Sequence, residues 1–169
     1  MILVVADTTP LRYLVEIGYE HLLPRLFTKV WIPGAVVSEL QRERTPGIVR
    51  KWAEQFPYWI EVREIADRPS EHEMVGLDRG EWEAIQLAKE IKANLLLIDE
   101  RAGVRVARRQ GFTVTGTLGV LVEAARSDLV SIEEALVRLA KTNFRRTPDL
   151  FAQTQDLVRK SGKQAAGNE

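Results

Sequence analysis

Residues 1–14 read MILVVADTTPLRYL, so that the five apolar residues after Met1 run directly into an aspartate, two threonines and a proline. A short continuous apolar run is typical of a strand in a parallel sheet that is covered on both faces. The run Ile2–Ala6 therefore predicts a buried strand. Thr8 or Thr9 offers a helix N-cap and Pro10 suits a first helical turn, so we expect a helix to follow at once.

The chain repeats this alternation of apolar runs and helical patterns along its length. Further strands are predicted at residues 30–32, 60–65, 95–98 and 112–116. Helices are predicted around residues 19–27, 36–40, 46–56, 80–92, 101–110, 131–142 and 148–160 and from residue 117, with a polar loop at 66–76. Strands that alternate with helices indicate an α/β fold with a central, mostly parallel sheet. We expect a single domain over residues 1–160 and a disordered tail over 161–169.

The composition is that of a globular protein, since 45% of the residues are hydrophobic and 28% are charged. The 24 basic and 24 acidic residues leave no net charge, so the chain lacks the basic excess of a non-specific nucleic-acid binder. It has no cysteine, which excludes disulfides, thiol nucleophiles and thiolate metal sites. No apolar run reaches the length of a membrane span or a signal peptide, and we expect a cytoplasmic protein.

Four acidic residues are predicted to lie at one edge of the sheet. Asp7 and Asp99 directly follow buried strands, and ligands of open parallel sheets bind beyond the carboxyl ends of the strands. Glu39 and Glu81 flank the inward apolar faces of two predicted helices. Taken alone, each acid can be a helix cap or an ordinary surface residue. Taken together, they would repel one another unless a cation lies between them.

The ligand types at this edge favour one class of metal. Carboxylate oxygens suit Mg²⁺ or Mn²⁺ rather than zinc, and the chain has no cysteine and only two histidines. Sites of this kind activate water and stabilise an in-line displacement at phosphorus. The ligand types therefore predict a magnesium or manganese site that is suited to a displacement at phosphorus.

Two local groups of basic residues are candidates for contacts with nucleic-acid phosphates. The first lies in a stretch without acids and consists of Arg101, Arg105, Arg108 and Arg109. The second consists of Lys141, Arg145 and Arg146. The alternative reading of the first group is a solvated helix face.

Five segments, in this order, resemble the motifs of PIN domains: VVADTTPLRYL, IPGAVVSEL, LDRGEWEAIQLA, LLLIDERAGVRVA and VTGTLGVL. Their order and spacing are most similar to the branch near the VapC-type toxins, over residues 2–125. PIN domains are metal-dependent ribonucleases with a three-layer fold. The resemblance therefore implies both that activity and a three-layer α/β/α PIN-like fold. It also implies that the family's metal-binding and catalytic acids are Asp7, Glu39, Glu81 and Asp99, and that Thr8 or Thr9 is its small hydroxyl residue.

The motifs depart from the family pattern at two acidic positions. The third acid is a glutamate where many relatives have aspartate, and Glu83 competes with Glu81 for that role. The fourth motif reads IDE, so Glu100 is an alternative or additional ligand beside Asp99. Thr117, in GTLG, resembles a recurring element of the branch whose role the sequence leaves open.

The resemblance predicts an endoribonuclease that uses Mg²⁺ or Mn²⁺ to hydrolyse RNA phosphodiesters and that is the toxin of a toxin–antitoxin pair. It implies a cognate antitoxin protein and a homodimer as partners. Trp52 and Trp59, which flank Tyr58, are the aromatic candidates for a dimer or partner surface. Two alternatives stay open: a non-catalytic PIN-like binding module, and another Mg²⁺-dependent phosphoryl-transfer α/β protein.

Overall fold

In a computed structural model, the backbone is described for residues 1–166 and the side chains for residues 1–162. The five strands found there are β1 Val4–Ala6, β2 Val30–Ile32, β3 Ile60–Val62, β4 Leu95–Leu97 and β5 Thr113–Thr115. They form one sheet in the order β3-β2-β1-β4-β5, and every neighbouring pair is parallel. The prediction of a central, mostly parallel sheet is confirmed.

Ten helices occur within residues 1–166: α1 Thr8–Glu16, α2 Leu22–Phe27, α3 Gly34–Leu40, α4 Gly47–Glu54, α5 Glu71–Met74, α6 Arg79–Ile91, α7 Arg101–Arg109, α8 Thr117–Arg126, α9 Ile132–Ala140 and α10 Leu150–Ala166. The β1-to-β2 and β4-to-β5 connections run in opposite directions along the sheet. Because such crossovers are right-handed, their helices lie on opposite faces. The predicted three-layer α/β/α fold is therefore confirmed.

β1 lies at the centre of the sheet, between β2 and β4. Val4, Val5 and Ala6 are fully buried, as expected for a strand covered on both faces. Burying one valine side chain completely contributes roughly 1.5–3 kcal/mol. The strand begins at Val4 rather than at the predicted Ile2, whose side chain is 53% exposed.

The start of α1 differs from the prediction in a way that matters for Asp7. Asp7, rather than Thr8 or Thr9, occupies the N-cap position, and its side chain makes no capping hydrogen bond. Thr8 and Thr9 are the first two helical residues, and Pro10 lies in the first turn as expected. The Asp7 amide instead donates a hydrogen bond of 2.9 Å to the Leu97 carbonyl of β4. The sheet therefore fixes the Asp7 backbone and leaves its carboxylate for another role.

A short helix, α5, occurs in the stretch that the sequence predicts to be a polar loop. Ser70 and Glu73 form a capping box around its first turn, in which the Ser70 amide donates to Glu73 Oε2 at 3.0 Å. This reciprocal capping satisfies amides that have no partner within the helix.

The aromatic residues near β3 belong largely to the protein's own core. Trp59 is 5% exposed, and the Trp52 ring packs against Phe56 and Trp59 with centroid separations of 5.2 and 6.1 Å. The expectation of a partner surface is therefore wrong for Trp59. Tyr58, which is 87% exposed, is the aromatic residue of this segment that faces solvent.

Two compact units are distinguished, residues 1–117 and the residues from 118 onward. The first contains the sheet and α1–α7, and in the second α9 packs against α10. The single domain over residues 1–160 stays a prediction.

α10 continues through residues 161–166, which were expected to be a disordered tail, and residues 167–169 lie outside the described residues. Across residues 1–166, no helix has both the length and the apolar character needed to cross a bilayer.

Candidate metal centre

The strand order of the sheet reverses between β1 and β4. From this point the chain passes through β2 and β3 on one side and through β5 on the other. Ligands of open α/β sheets bind at such a switch point, beyond the carboxyl ends of the strands. Asp7 directly follows β1, and Asp99 follows β4 after one intervening residue. Two adjacent strand ends therefore present carboxylates where a ligand is expected.

Asp7 is a buried acid whose charge is not compensated. Its side chain is 2% exposed, and its Oδ1 has no hydrogen-bond partner among the described residues. Burial raises the pKa of Asp7 well above its ordinary value, against an opposing hydrogen bond from the Thr8 backbone. The carboxylates of Asp78, Glu39 and Glu81 raise this pKa further. Because a buried carboxylate is costly without a cation or donors, the surroundings of Asp7 favour a bound positive charge.

Two further carboxylates converge on Asp7, those of Glu39 in α3 and Asp78 immediately before α6. One oxygen from each of the three side chains lies within 4.8 Å of the other two. Glu39 Oε1 accepts a hydrogen bond of 3.0 Å from the Gly80 amide, and Glu39 Oε2 accepts one from the Thr8 hydroxyl. Asp78 is exposed whereas Asp7 is buried, so the cluster extends from the interior to the surface.

Asp78 is not among the acids that the sequence predicts for this site. It is the N-cap residue of α6: its Oδ1 accepts from the Glu81 amide at 2.8 Å, and its amide donates to Glu81 Oε2 at 2.8 Å. This reciprocal pair is a capping box and starts the helix at Arg79, one residue earlier than predicted. The signal that identifies it is an aspartate followed three residues later by a glutamate, in LDRGE.

Glu81 lies beside the cluster with one oxygen free. It is 4% exposed, and while Oε2 is held by the capping box, Oε1 is buried without a hydrogen-bond partner in the described part of the chain. Burial raises the pKa of Glu81 to about 7, and the carboxylates of Asp78, Glu100 and Glu39 act in the same direction. A Cβ at Gly103 would lie 3.0 Å from Glu81 Oε1, so the free oxygen faces the first turn of α7.

Asp99, in contrast, is hydrogen-bonded by the protein itself. Its Oδ1 accepts from the Thr117 amide at 2.7 Å and its Oδ2 accepts from the Thr117 hydroxyl at 2.6 Å. Burial raises the pKa of Asp99, the two hydrogen bonds oppose that shift, and the Glu100 carboxylate adds to it. Among the residues described, Asp99 is outside the group of carboxylates that converges on Asp7. Thr117, which is fully buried, thus has a clear structural role.

Glycines allow the backbone to approach these carboxylates closely. A Cβ at Gly80 would lie 2.5 Å from Glu39 Oε2 and 2.9 Å from Asp7 Oδ1. A Cβ at Gly116 would collide with Asp99 Oδ1. Any side chain at either position would force the acids to move, so these glycines contribute to the spacing of the site.

A family model, DUF3368, which is described as a PIN domain, matches residues 3–160. The chain belongs to the PIN-domain family. No curated protein and no solved structure matches it. The resemblance seen in the motifs is thus confirmed at the level of the family, and because PIN domains are generally nucleases, membership supports a nuclease. The VapC-type branch stays a prediction.

Glu83 of the PIN domain, which the sequence offers as the alternative to Glu81, accepts hydrogen bonds through both of its carboxylate oxygens. It is 3% exposed, its Oε2 accepts from the Ala35 amide at 2.9 Å, and its Oε1 accepts from Arg79 Nε at 2.9 Å. Glu81, rather than Glu83, is the residue whose charge raises the pKa of Asp7. The geometry therefore favours Glu81 over Glu83 as the third acid of the motif.

The structure also shows the surroundings of Glu100 and of the two early threonines, whose roles the sequence leaves open. Glu100 is the exposed residue before α7, and its carboxylate raises the pKa values of Asp99 and Glu81. Of the two early threonines, Thr8 is the one whose hydroxyl bonds an acid of the cluster, namely Glu39.

The basic residues of α7 form an exposed face of the PIN domain. All four of the predicted arginines are exposed, namely Arg101, Arg105, Arg108 and Arg109. Within residues 1–162 none of them forms an ion pair. Arg101 lies in the first turn, at the edge of the sheet that carries Asp99, whereas Arg109 lies about 12 Å farther along the helix. The face therefore extends away from the acids rather than surrounding them.

Proposed function

We propose that this PIN domain is a divalent-metal-dependent endoribonuclease of the VapC-type toxin branch. The observation that carries the proposal is the convergence of one oxygen each from Asp7, Glu39 and Asp78 within 4.8 Å, at the switch point of the sheet. The buried Asp7 Oδ1, which lacks a hydrogen-bond partner among the described residues, independently supports a cation-binding role for this cluster.

The residues present fit Mg²⁺ or Mn²⁺. The donor set consists of carboxylate oxygens, which these hard cations prefer. Asp7, Glu39 and Asp78 would hold the ion, and their mutual repulsion would be relieved by its charge. The Thr8 hydroxyl and the Gly80 amide orient Glu39, as outer partners of metal ligands commonly do. When bound, such an ion supplies an activated water and stabilises the charge that develops at phosphorus.

Glu81 and Asp99 complete the proposed catalytic set. Glu81 has a pKa of about 7 and a free Oε1, which suits proton exchange with a water near neutral pH. Asp99 is oriented by Thr117 through both of its oxygens. Because a carboxylate offers about four lone-pair positions, Asp99 retains capacity to bind a water or an ion.

RNA is the proposed substrate, and the exposed arginines of α7 are proposed to bind its phosphates. Such contacts contribute affinity without reading sequence. A cognate antitoxin protein, a homodimer and a cytoplasmic location are proposed from the family resemblance. The exposed Tyr58 supports an interface with one of these protein partners, because large aromatic side chains are enriched there.

Cleavage of single-stranded RNA by the purified protein tests this proposal. We expect cleavage with Mg²⁺ or Mn²⁺, none with EDTA, and none by Asp7→Asn, which removes one metal-binding charge and keeps the shape. Asp67→Asn is the matched control, because Asp67 is an exposed acid outside the cluster, and it should cleave like the wild type. Equal cleavage by Asp7→Asn would reveal a contaminating nuclease. RNA binding without cleavage by the wild type would favour the binding-module alternative.

A further inference from the structure

α3 and α6 each bind an amide at the start of the other helix. Glu39 of α3 accepts a hydrogen bond of 3.0 Å from the Gly80 amide of α6. Glu83 of α6 accepts one of 2.9 Å from the Ala35 amide of α3. Both amides lie in the first turn of their helix, where N–H groups have no partner within the helix. The two bonds form a reciprocal pair that joins the helices in both directions.

Glu83 is the more deeply buried acid of this reciprocal pair. It is 3% exposed, and α3 packs directly against α6. An amide that is buried without an acceptor is unfavourable, so the position of the Ala35 amide depends on Glu83. The second oxygen of Glu83 accepts from Arg79 at 2.9 Å. Both oxygens are therefore engaged by other groups, which argues against Glu83 as a direct metal ligand.

We propose that Glu83 is a positioning residue for the metal site. Its bond to Ala35 fixes α3, and α3 carries Glu39 to its place beside Asp7. Glu39 lies four residues after Ala35, about one helical turn away, on a helix of only 7 residues. A shift at the start of so short a helix moves its whole length, Glu39 included. The inference rests on the proposed function, because it takes the positioned carboxylate as a metal ligand.

Three variants of the full chain separate positioning from other roles of Glu83. Glu83→Met removes both acceptors and approximately keeps the side-chain volume. Glu83→Gln keeps one acceptor for the Ala35 amide and is the conservative rescue. Arg79→Ala removes the ion pair and leaves the bond to Ala35 in place.

Hydrogen exchange of the metal-free protein tests the position of α3 without any metal. We expect residues 34–42 of Glu83→Met to exchange at least about tenfold faster than in the wild type, because the helix opens more often. In Glu83→Gln and Arg79→Ala these residues should exchange near the wild-type rate. The strands β1 and β4 are internal controls for global unfolding.

Mn²⁺ titration followed by electron paramagnetic resonance tests the consequence for the acidic cluster. We expect Glu83→Met to weaken Mn²⁺ binding by about 10–100-fold, the range typical of residues that orient metal ligands. Glu83→Gln and Arg79→Ala should bind within about threefold of the wild type. Glu39→Gln provides the reference for loss of a direct ligand.

Unchanged exchange of residues 34–42 in Glu83→Met would overturn the inference. A loss of Mn²⁺ affinity in Glu83→Gln as large as in Glu39→Gln would also overturn it, because Glu83 would then be a ligand. If Glu83→Met does not fold, Glu83→Gln decides: Mn²⁺ affinity near that of the wild type supports the inference, and a loss of about tenfold or more refutes it. A wild type that binds no Mn²⁺ would refute the proposed metal site instead. The hydrogen-exchange rates of residues 34–42 would still show whether Glu83 positions α3.

Discussion

The ends of β1 and β4 lie side by side, but the carboxylates that follow them differ in their hydrogen-bond partners. At β4, Asp99 accepts hydrogen bonds from the Thr117 amide and hydroxyl at 2.7 and 2.6 Å. At β1, Asp7 Oδ1 has no partner among the described residues, and two other carboxylates approach within 4.8 Å. Burial raises the pKa of both aspartates, yet only Asp7 keeps an uncompensated oxygen. Missing donors, rather than burial alone, therefore distinguish the position that favours a cation.

Stabilisation by a divalent cation should give the largest difference between Asp7 and Asp99. We expect Mg²⁺ at 100 times its Kd to stabilise the wild type by about 2.7 kcal/mol, which raises the melting temperature by several degrees. Asp7→Asn should lose nearly all of this gain, whereas Asp99→Asn should keep part of it because Asp99 is outside the converging group. Thermal melting with EDTA and with Mg²⁺ measures the difference. If Mg²⁺ raised the melting temperatures of the wild type and Asp7→Asn equally, Asp7 would not be a metal ligand.

The close packing around Asp7 can be tested at Gly80. Gly80→Ala should destabilise the metal-free protein by about 1–3 kcal/mol, because the added Cβ would lie 2.5 Å from Glu39 Oε2. Gly47→Ala is the matched control, since the atom nearest to its Cβ would be Arg50 Nη2 at 4.0 Å. That variant should be neutral or more stable by about 0.5–1 kcal/mol. Urea unfolding that gave the same change for both variants would contradict the close approach of α6.

Amide substitutions should change metal-free stability with opposite signs at the two strand ends. Asp7→Asn removes a repelled charge and should stabilise the protein by about 0.5–2 kcal/mol, the range of single stabilising changes. Asp99→Asn exchanges two charge-assisted hydrogen bonds from Thr117 for neutral ones and should cost about 0.5–1.5 kcal/mol. Urea unfolding in EDTA at pH 7 gives both values. Changes of the same sign would show that the two sites are electrostatically alike.

The pH dependence of metal-free stability reports on the raised pKa of Glu81. Glu81 ionises near its ordinary pKa of 4.5 in the unfolded chain, and its pKa is about 7 in the folded protein. Between these values the folded state holds more protons, so stability should fall as pH rises from 4.5 to 7 and level off above. The raised pKa values of Asp7 and Asp99 act in the same direction. Glu81→Gln should flatten the slope, and a wild-type slope of opposite sign would contradict the assignment.

The sequence predicts the fold and the edge of the sheet for a simple physical reason. Short apolar runs indicate parallel strands, and the carboxyl ends of parallel strands meet at one edge of a sheet. Because β1 and β4 are adjacent in the sheet, Asp7 and Asp99, which follow them, lie at the same edge. Helical spacing likewise places Glu39 near the buried face of α3.

The partner of each oxygen cannot be predicted in this way, because it depends on contacts between distant parts of the chain. Asp99 and Thr117 are 18 residues apart, and the hydroxyl that satisfies Asp99 has no local signature. Glu81 and Glu83 are both buried, at 4% and 3% exposure, because α6 packs against α3, α7, β1 and β4. A helix that is covered on several sides gives no single inward face, so spacing alone does not separate the two glutamates.

The first turn of α6 provides natural spectroscopic reporters of this site. The Gly80 amide donates to Glu39 and the Glu81 amide donates to Asp78, so each amide proton reports on a different carboxylate. Amide chemical shifts respond to the charge beside the accepting group, so in a ¹⁵N-labelled sample each signal should report on its own carboxylate. A cation that binds these carboxylates should shift both signals without any nucleic acid present. Magnetic resonance of two backbone amides can thus follow the occupancy of the acidic cluster independently of turnover.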